Sequence, residues 1–201
     1  MKSLLFGTLF VSLFILVEKD VAKIIQDNVE FRAELNAEYA DSTETPLTHE
    51  DWKTFTELPF YDIDTAFYVV AQFERTEGAE PFGMKTSTDR LPTYEVYGIA
   101  SFKLKGKMIE IPIYQSHKSR DSEKYKNYLF LPYNDLTNGD GTYPGGRFID
   151  LRIPKGDEIV IDFNQSYNPL CAYNHKYSCP VPPKENFINV HIEAGVQYEG
   201  H

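Results

Sequence analysis

From Phe67 onward the chain alternates apolar and polar residues in short runs broken by turn signals, and this pattern constrains the fold more than any other feature. Phe67, Val69, Ala71 and Phe73 alternate along one face, and Tyr94, Val96, Gly98, Ala100, Phe102 and Leu104 do so along another. A period of two is the mark of a strand with one buried face. Lys105 and Gly106 separate the second run from Ile109, Ile111 and Ile113, which predicts a hairpin. Between the first two runs, GAEPFGMKTSTDRLP reads as a polar, turn-rich loop. Further strands are expected over Tyr128 to Leu131, Phe148 to Ile153, Glu158 to Phe163 and Phe187 to Ile192, with Pro154 to Asp157 as a tight turn. Short strands at this spacing bury their apolar faces by closing on one another. The expected fold class is therefore mainly β (α+β), an antiparallel β-barrel or β-sandwich with an N-terminal helical segment.

The N-terminal part follows a different period. Lys2 precedes the uncharged run SLLFGTLFVSLFILV over residues 3–17, and charge returns at Glu18, Lys19 and Asp20. A basic start and an apolar run shorter than the roughly 18 residues of a spanning helix predict a signal peptide over residues 1–17 or, because no A-x-A cleavage site follows, a signal anchor. Export to the periplasm or cell envelope is the expectation, with membrane contact only through this segment if it stays uncleaved. Val21, Ile24, Ile25, Leu35 and Tyr39, with Phe31 near the same face, then recur at helical spacing. Thr48, followed three residues later by Asp51, predicts the capping box of a short helix through Trp52 and Phe55. Residues 18–58 are thus expected to form a helical segment packed on a β-rich domain over residues 59–201, in a chain whose 201 residues suit one domain.

Charge narrows the partners. A formal net charge of -10 repels a polyanion, so nucleic acid is excluded as an expected partner. Small molecules remain, and no protein partner can be named from the residues.

Polar groups concentrate between Leu129 and Gly195, where FLPYNDLTNGDGTYPGGRFIDL and IVIDFNQSYNPLCAYNHKYSCPVPP set them among glycines and prolines. These stretches, with SCPVPPKEN, the later EAGV, and FRAELNAEY, STETPLT and YGIASF upstream, resemble the bacterial family numbered 1684 among the domains of unknown function. The resemblance spans nearly everything after the leader, and it implies no activity, since that family has none established. Where the family pattern often continues after the Ala-Gly pair with an acidic and a basic residue, this chain has Val196 and Gln197.

The first stretch fails as an EF-hand, because a frame from Asp135 puts Gly139 where a ligand is needed and a frame from Asn134 puts Leu136 there. As a phosphate loop it fails too, since no Gly-Lys-Ser/Thr follows and Phe148 opens a strand instead of a helix. Gly139, Gly141, Gly145 and Gly146 are expected to serve turns. Arg147 either holds an anionic group or pairs internally with Asp135 or Asp162. Asp162, ending an apolar strand, is either a base or ligand anchor, or an organiser of its own loop. Cys171, His175 and Cys179 stand four residues apart, yet the prolines around them argue for a loop in which three such ligands do not share a face. The two cysteines are expected to form a disulfide in an oxidising compartment, with no metal and no cofactor.

The leading expectation is a loop-lined pocket for a small polar or anionic ligand, built from Tyr133, Asp135, Thr137, Arg147, Asp162, Asn164, Tyr167 and Asn168. A hydrolase-type site using Asp162 or Asp135 as base with Arg147, and a purely structural envelope module, are its rivals.

Overall fold

The computed structural model describes residues 5–200, with side chains from residue 20 on; the leader expected over residues 1–17 lies outside those described side chains. Among the described residues no helix is long and apolar enough to cross a membrane. In chain order the elements are α1 (Leu5–Ala40), α2 (His49–Thr54), β1 (Tyr68–Arg75), β2 (Phe82–Gly83), β3 (Thr93–Leu104), β4 (Lys107–Ser116), α3 (His117–Arg120), β5 (Tyr128–Asp135), β6 (Arg147–Arg152), β7 (Glu158–Asp162) and β8 (Phe187–Ile188).

The strands form one sheet in the order β6-β5-β4-β3-β1-β7, antiparallel along this path, with β2 on β3 and β8 parallel to β5. Its two end strands are consecutive in the chain. Laid flat, they would stand about 24 Å apart, whereas the link from Arg152 to Glu158 reaches about 20 Å when fully extended. The sheet must curl, and it does so as a mainly β half-barrel.

The period of two delivers the interior. Val69, Ala71, Phe73, Ala100, Phe102, Leu104, Ile111, Ile113, Leu129, Leu131, Ile149, Ile159 and Ile161 all join one buried cluster. The hairpin forms as expected, with Lys105 at φ 46 and Gly106 at φ 82, the paired left-handed geometry of a two-residue turn between right-twisted strands. Thr48 caps α2, its hydroxyl accepting from the Asp51 N–H at 3.2 Å and donating to Asp51 Oδ2 at 2.5 Å.

Four expectations are corrected. The alternation over Tyr94 to Leu104 is not one face, because the register with β4 shifts between Val96 and Gly98. The extra residue, Tyr97, reverses the parity. Ala100 and Phe102 enter the barrel, while Tyr94 and Val96 pack on its outside with Met84, Tyr114, Phe130 and Phe148. A glycine is required at this bulge, since a Cβ on Gly98 would lie 2.6 Å from the Glu74 carbonyl oxygen and 2.4 Å from Phe73 Cζ.

Within the expected loop, Phe82 and Gly83 form a short strand against Tyr94 and Thr93. The strand expected over Phe187 to Ile192 pairs only at Phe187 and Ile188; Val190, Ile192 and Ala194 continue into the core without a ladder.

The helix does not dock by Val21 and Ile25, which are 37% and 42% exposed. A polar row one turn apart fastens it. Asn28 donates to Asp162 Oδ2 at 2.6 Å, Arg32 donates to the Tyr61 carbonyl at 2.5 Å, and Asn36 accepts the Leu58 N–H at 2.8 Å. Tyr39 then packs with Leu47, Leu58, Tyr173 and Val196, and Trp52 donates to the Ala40 carbonyl left open at the end of α1.

Candidate functional site

Arg147 is fully buried at the head of β6, and of its two expected roles it takes the internal one, pairing with Asp135 instead of holding an anionic ligand. Nη2 donates to Asp135 Oδ2 at 2.9 Å and to the Ile192 carbonyl at 2.8 Å, and Nη1 donates to the Ala194 carbonyl. Asp135 Oδ1 accepts from the Ile192 N–H at 3.3 Å, the Thr137 N–H at 2.8 Å and the Thr137 hydroxyl at 2.6 Å. The ion pair thus does for residues 190–194 what a neighbouring strand would do, which is why that segment runs through the core without pairing. Neither group is open to solvent or substrate, so the hydrolase-type reading loses its Asp135 and Arg147.

The other expected residues are committed in the same way, with one exception. Tyr133 exchanges a hydrogen bond with Ser166 at 2.6 Å beneath the Arg147 guanidinium, and burial pushes its phenol up. Asp162 accepts from Asn28, from the Asn164 N–H at 3.0 Å and from the Asn164 amide at 2.8 Å. Asn164 in turn clasps the Asp64 backbone, accepting from its N–H and donating to its carbonyl, both at 3.0 Å. Asn168 donates to the Tyr173 hydroxyl at 2.9 Å and the Gln197 carbonyl at 3.1 Å. The exception is Tyr167, which lies in a cleft.

That cleft is a cavity of 510 Å³ between α1 and the outer face of the sheet. Its floor follows from strand parity: Tyr128 and Phe130 on β5 and Phe148 and Asp150 on β6 point away from the barrel, and the bulge turns Tyr94 to join them. Phe31, Glu34, Leu35 and Glu38 on α1 form the facing wall, and Pro169, Leu170 and Ser178 to Pro180 close one side. The Tyr128 hydroxyl donates to Asp150 Oδ1 at 2.6 Å and the Tyr167 hydroxyl donates to the same oxygen at 2.5 Å. Burial foremost, and the neighbouring Asp150 carboxylate, raise both phenols above the ordinary tyrosine range, so they stay protonated as donors.

Cys171 and Cys179 are both buried as free thiols, near each other but not joined as the expected disulfide, and the Cys171 N–H meets Cys179 Sγ at 3.1 Å. A hydrogen bond from the Cys179 thiol holds Cys171 down at about 6, against the opposing effect of burial, and Cys179 is raised as its proton-holding partner. His175 is exposed, and no group of three His, Cys, Asp or Glu side chains converges on a metal position among the described residues. Gly139, Gly141 and Gly146 have φ of 82, 97 and 90, as turn glycines should.

Asp150, Tyr94, Tyr128, Phe130, Phe148, Phe31, Glu34 and Glu38 were not among the expected site residues. A signal for two of them, Tyr128 and Phe130, is present: β5 reads Tyr-Leu-Phe-Leu, apolar on both faces, and a strand of that kind requires cover on both sides.

A mainly β half-barrel with a helix-walled cleft on its outer face is the class of protein these features define. The chain belongs to the family described as Protein of unknown function (DUF1684), whose model matches residues 53–197. The sheet wall of the cleft falls inside that match, and α1 precedes it. The chain is also similar to the uncharacterized protein from gene locus rrnAC0354 of Haloarcula marismortui, whose solution NMR structure shares 30% sequence identity, covers 90% of this chain and 97% of that chain, and superposes with a TM-score of 0.69. None of the curated proteins matches the chain.

Proposed function

We propose that this protein binds a small ligand bearing a polar group in the cleft between α1 and the outer face of β5 and β6. The carrying observation is the lining itself. A concave, largely aromatic space of 510 Å³ lies within the range of roughly 300–1,000 Å³ typical of small-molecule sites, and it contains a carboxylate, Asp150, oriented by two tyrosine hydroxyls. Glu34 offers the test, because it is exposed on the helix wall and a large ring there fills the mouth without entering the core. Ligand-observed NMR against a mixed panel of amines, saccharides and carboxylic acids should return binders with wild type that disappear with Glu34→Trp. A panel without binders, or binders indifferent to that substitution, overturns the proposal.

The same reading places the protein outside the cytoplasm, with Cys171 and Cys179 joined there as a disulfide. The apolar run after Lys2 and the approach of the two buried cysteines support it. Intact-mass measurement on protein isolated from the cells that make it should show both thiols oxidised, by the loss of two hydrogens, in the membrane or extracytoplasmic fraction. A cytoplasmic chain with both thiols alkylatable would contradict both parts.

A further inference from the structure

Resting on the cleft as a ligand site, we infer that its ligand is an organic cation, with an ammonium group against the carboxylates and an apolar body laid on the aromatic floor. The charges lining the cleft are of one sign. Glu34 and Glu38 project from α1 one turn apart, Asp150 faces them from β6, and among the described residues no lysine, arginine or histidine lines the cavity. None of these three carboxylates is in an ion pair among the described residues. Arg90 reaches the rim, but its donors go to Ser178, Nη2 to the carbonyl at 2.6 Å and Nε to the hydroxyl at 3.1 Å.

The floor suits the same ligand. Tyr94, Phe130, Phe148 and Tyr167 form a continuous series, with ring centroids 6.1 Å, 4.8 Å and 6.0 Å apart. The faces of such rings are electronegative and attract a cation most strongly where water is displaced. Tyr128 already takes one cation in this way, with the Arg152 guanidinium 5.3 Å from its centroid. With both tyrosine hydroxyls bound to Asp150 Oδ1, the carboxylate is held in one orientation for an incoming ammonium. A neutral saccharide could stack on the same rings, yet it would leave the carboxylates uncompensated. An anion would meet repulsion from all three, within a chain of net charge -10.

Shape-matched pairs of probes that differ in charge test this on the full-length folded protein: choline against its uncharged carbon isostere, and phenethylammonium against phenethyl alcohol, titrated into isotope-labelled protein and read from backbone amide shifts. The cationic member of each pair should bind at least about tenfold more tightly and shift amides of β5, β6 and α1. The triple variant Glu34→Gln, Glu38→Gln, Asp150→Asn keeps the shape and the tyrosine acceptor, and should remove that preference. Equal affinity within both pairs, or a preference that survives the triple variant, overturns the organic-cation inference. Saccharides or carboxylic acids displaced by Glu34→Trp would overturn it while leaving the cleft as a binding site; silence from every probe would overturn both.

Discussion

Arg147→Ala is expected to destabilise the fold by roughly 3–5 kcal/mol, because it leaves the Asp135 carboxylate buried without its cation. Truncation also strips the Ile192 and Ala194 carbonyls of their donors, so the segment that closes the barrel loses its fastening. For a chain of this length a loss of that size lowers the melting temperature by on the order of 10 °C. Urea unfolding of Arg147→Ala, Asp135→Ala and the double variant gives the check. The double variant should cost clearly less than the sum of the singles, since it removes the unpaired charge together with its partner. A near-native midpoint for Arg147→Ala would mean that the pair does not hold residues 190–194.

Asp162→Ala is expected to cost roughly 2–4 kcal/mol and, unlike Arg147→Ala, to show a local signature. The carboxylate collects the Asn28 amide of α1, and both the backbone and side-chain amides of Asn164. Its loss leaves buried donors facing nothing. Hydrogen exchange should speed up first across residues 24–36 of α1, where the polar row docks, while β3 and β4 keep their protection. Asn28→Ala, which removes one of these bonds, should reproduce the helix effect at about 1 kcal/mol. Uniform loss of protection across sheet and helix would show that Asp162 organises the barrel and does not specifically fasten α1. Because α1 is one wall of the cleft, either variant should also weaken any ligand bound there.

The two aspartates show how a sequence can indicate polar importance without its purpose. Asp135, Arg147 and Asp162 stood out as charged residues at strand ends amid glycines and asparagines, and both a pocket and an internal network were consistent with that pattern. Burial decides between them. Arg147 has no exposed surface, and its ion pair and hydrogen bonds are made within the chain, so the guanidinium is a structural tie. Solvent access belongs to the assembled fold, and residue type at a strand end carries no information about it.

The sequence by itself determined most of the sheet. Alternation specifies which face of a strand is apolar, and Lys105-Gly106 specifies the turn, because these depend on backbone geometry within a few residues. The sequence also held a trace of the second buried face in the continuously apolar β5. Only the tertiary structure decided what covers that face. The bulge at Tyr97 moves Tyr94 from the inside to the outside, a reversal invisible in the alternation itself. The helix wall arrives from about a hundred residues upstream, held by Asn28, Arg32 and Asn36 and not by its most apolar stripe. A cleft made of Glu34 and Glu38 on one side and Asp150 with Tyr128 and Tyr167 on the other has no local sequence signature, because its parts share no period, no turn and no motif. Their only relation is proximity across the fold.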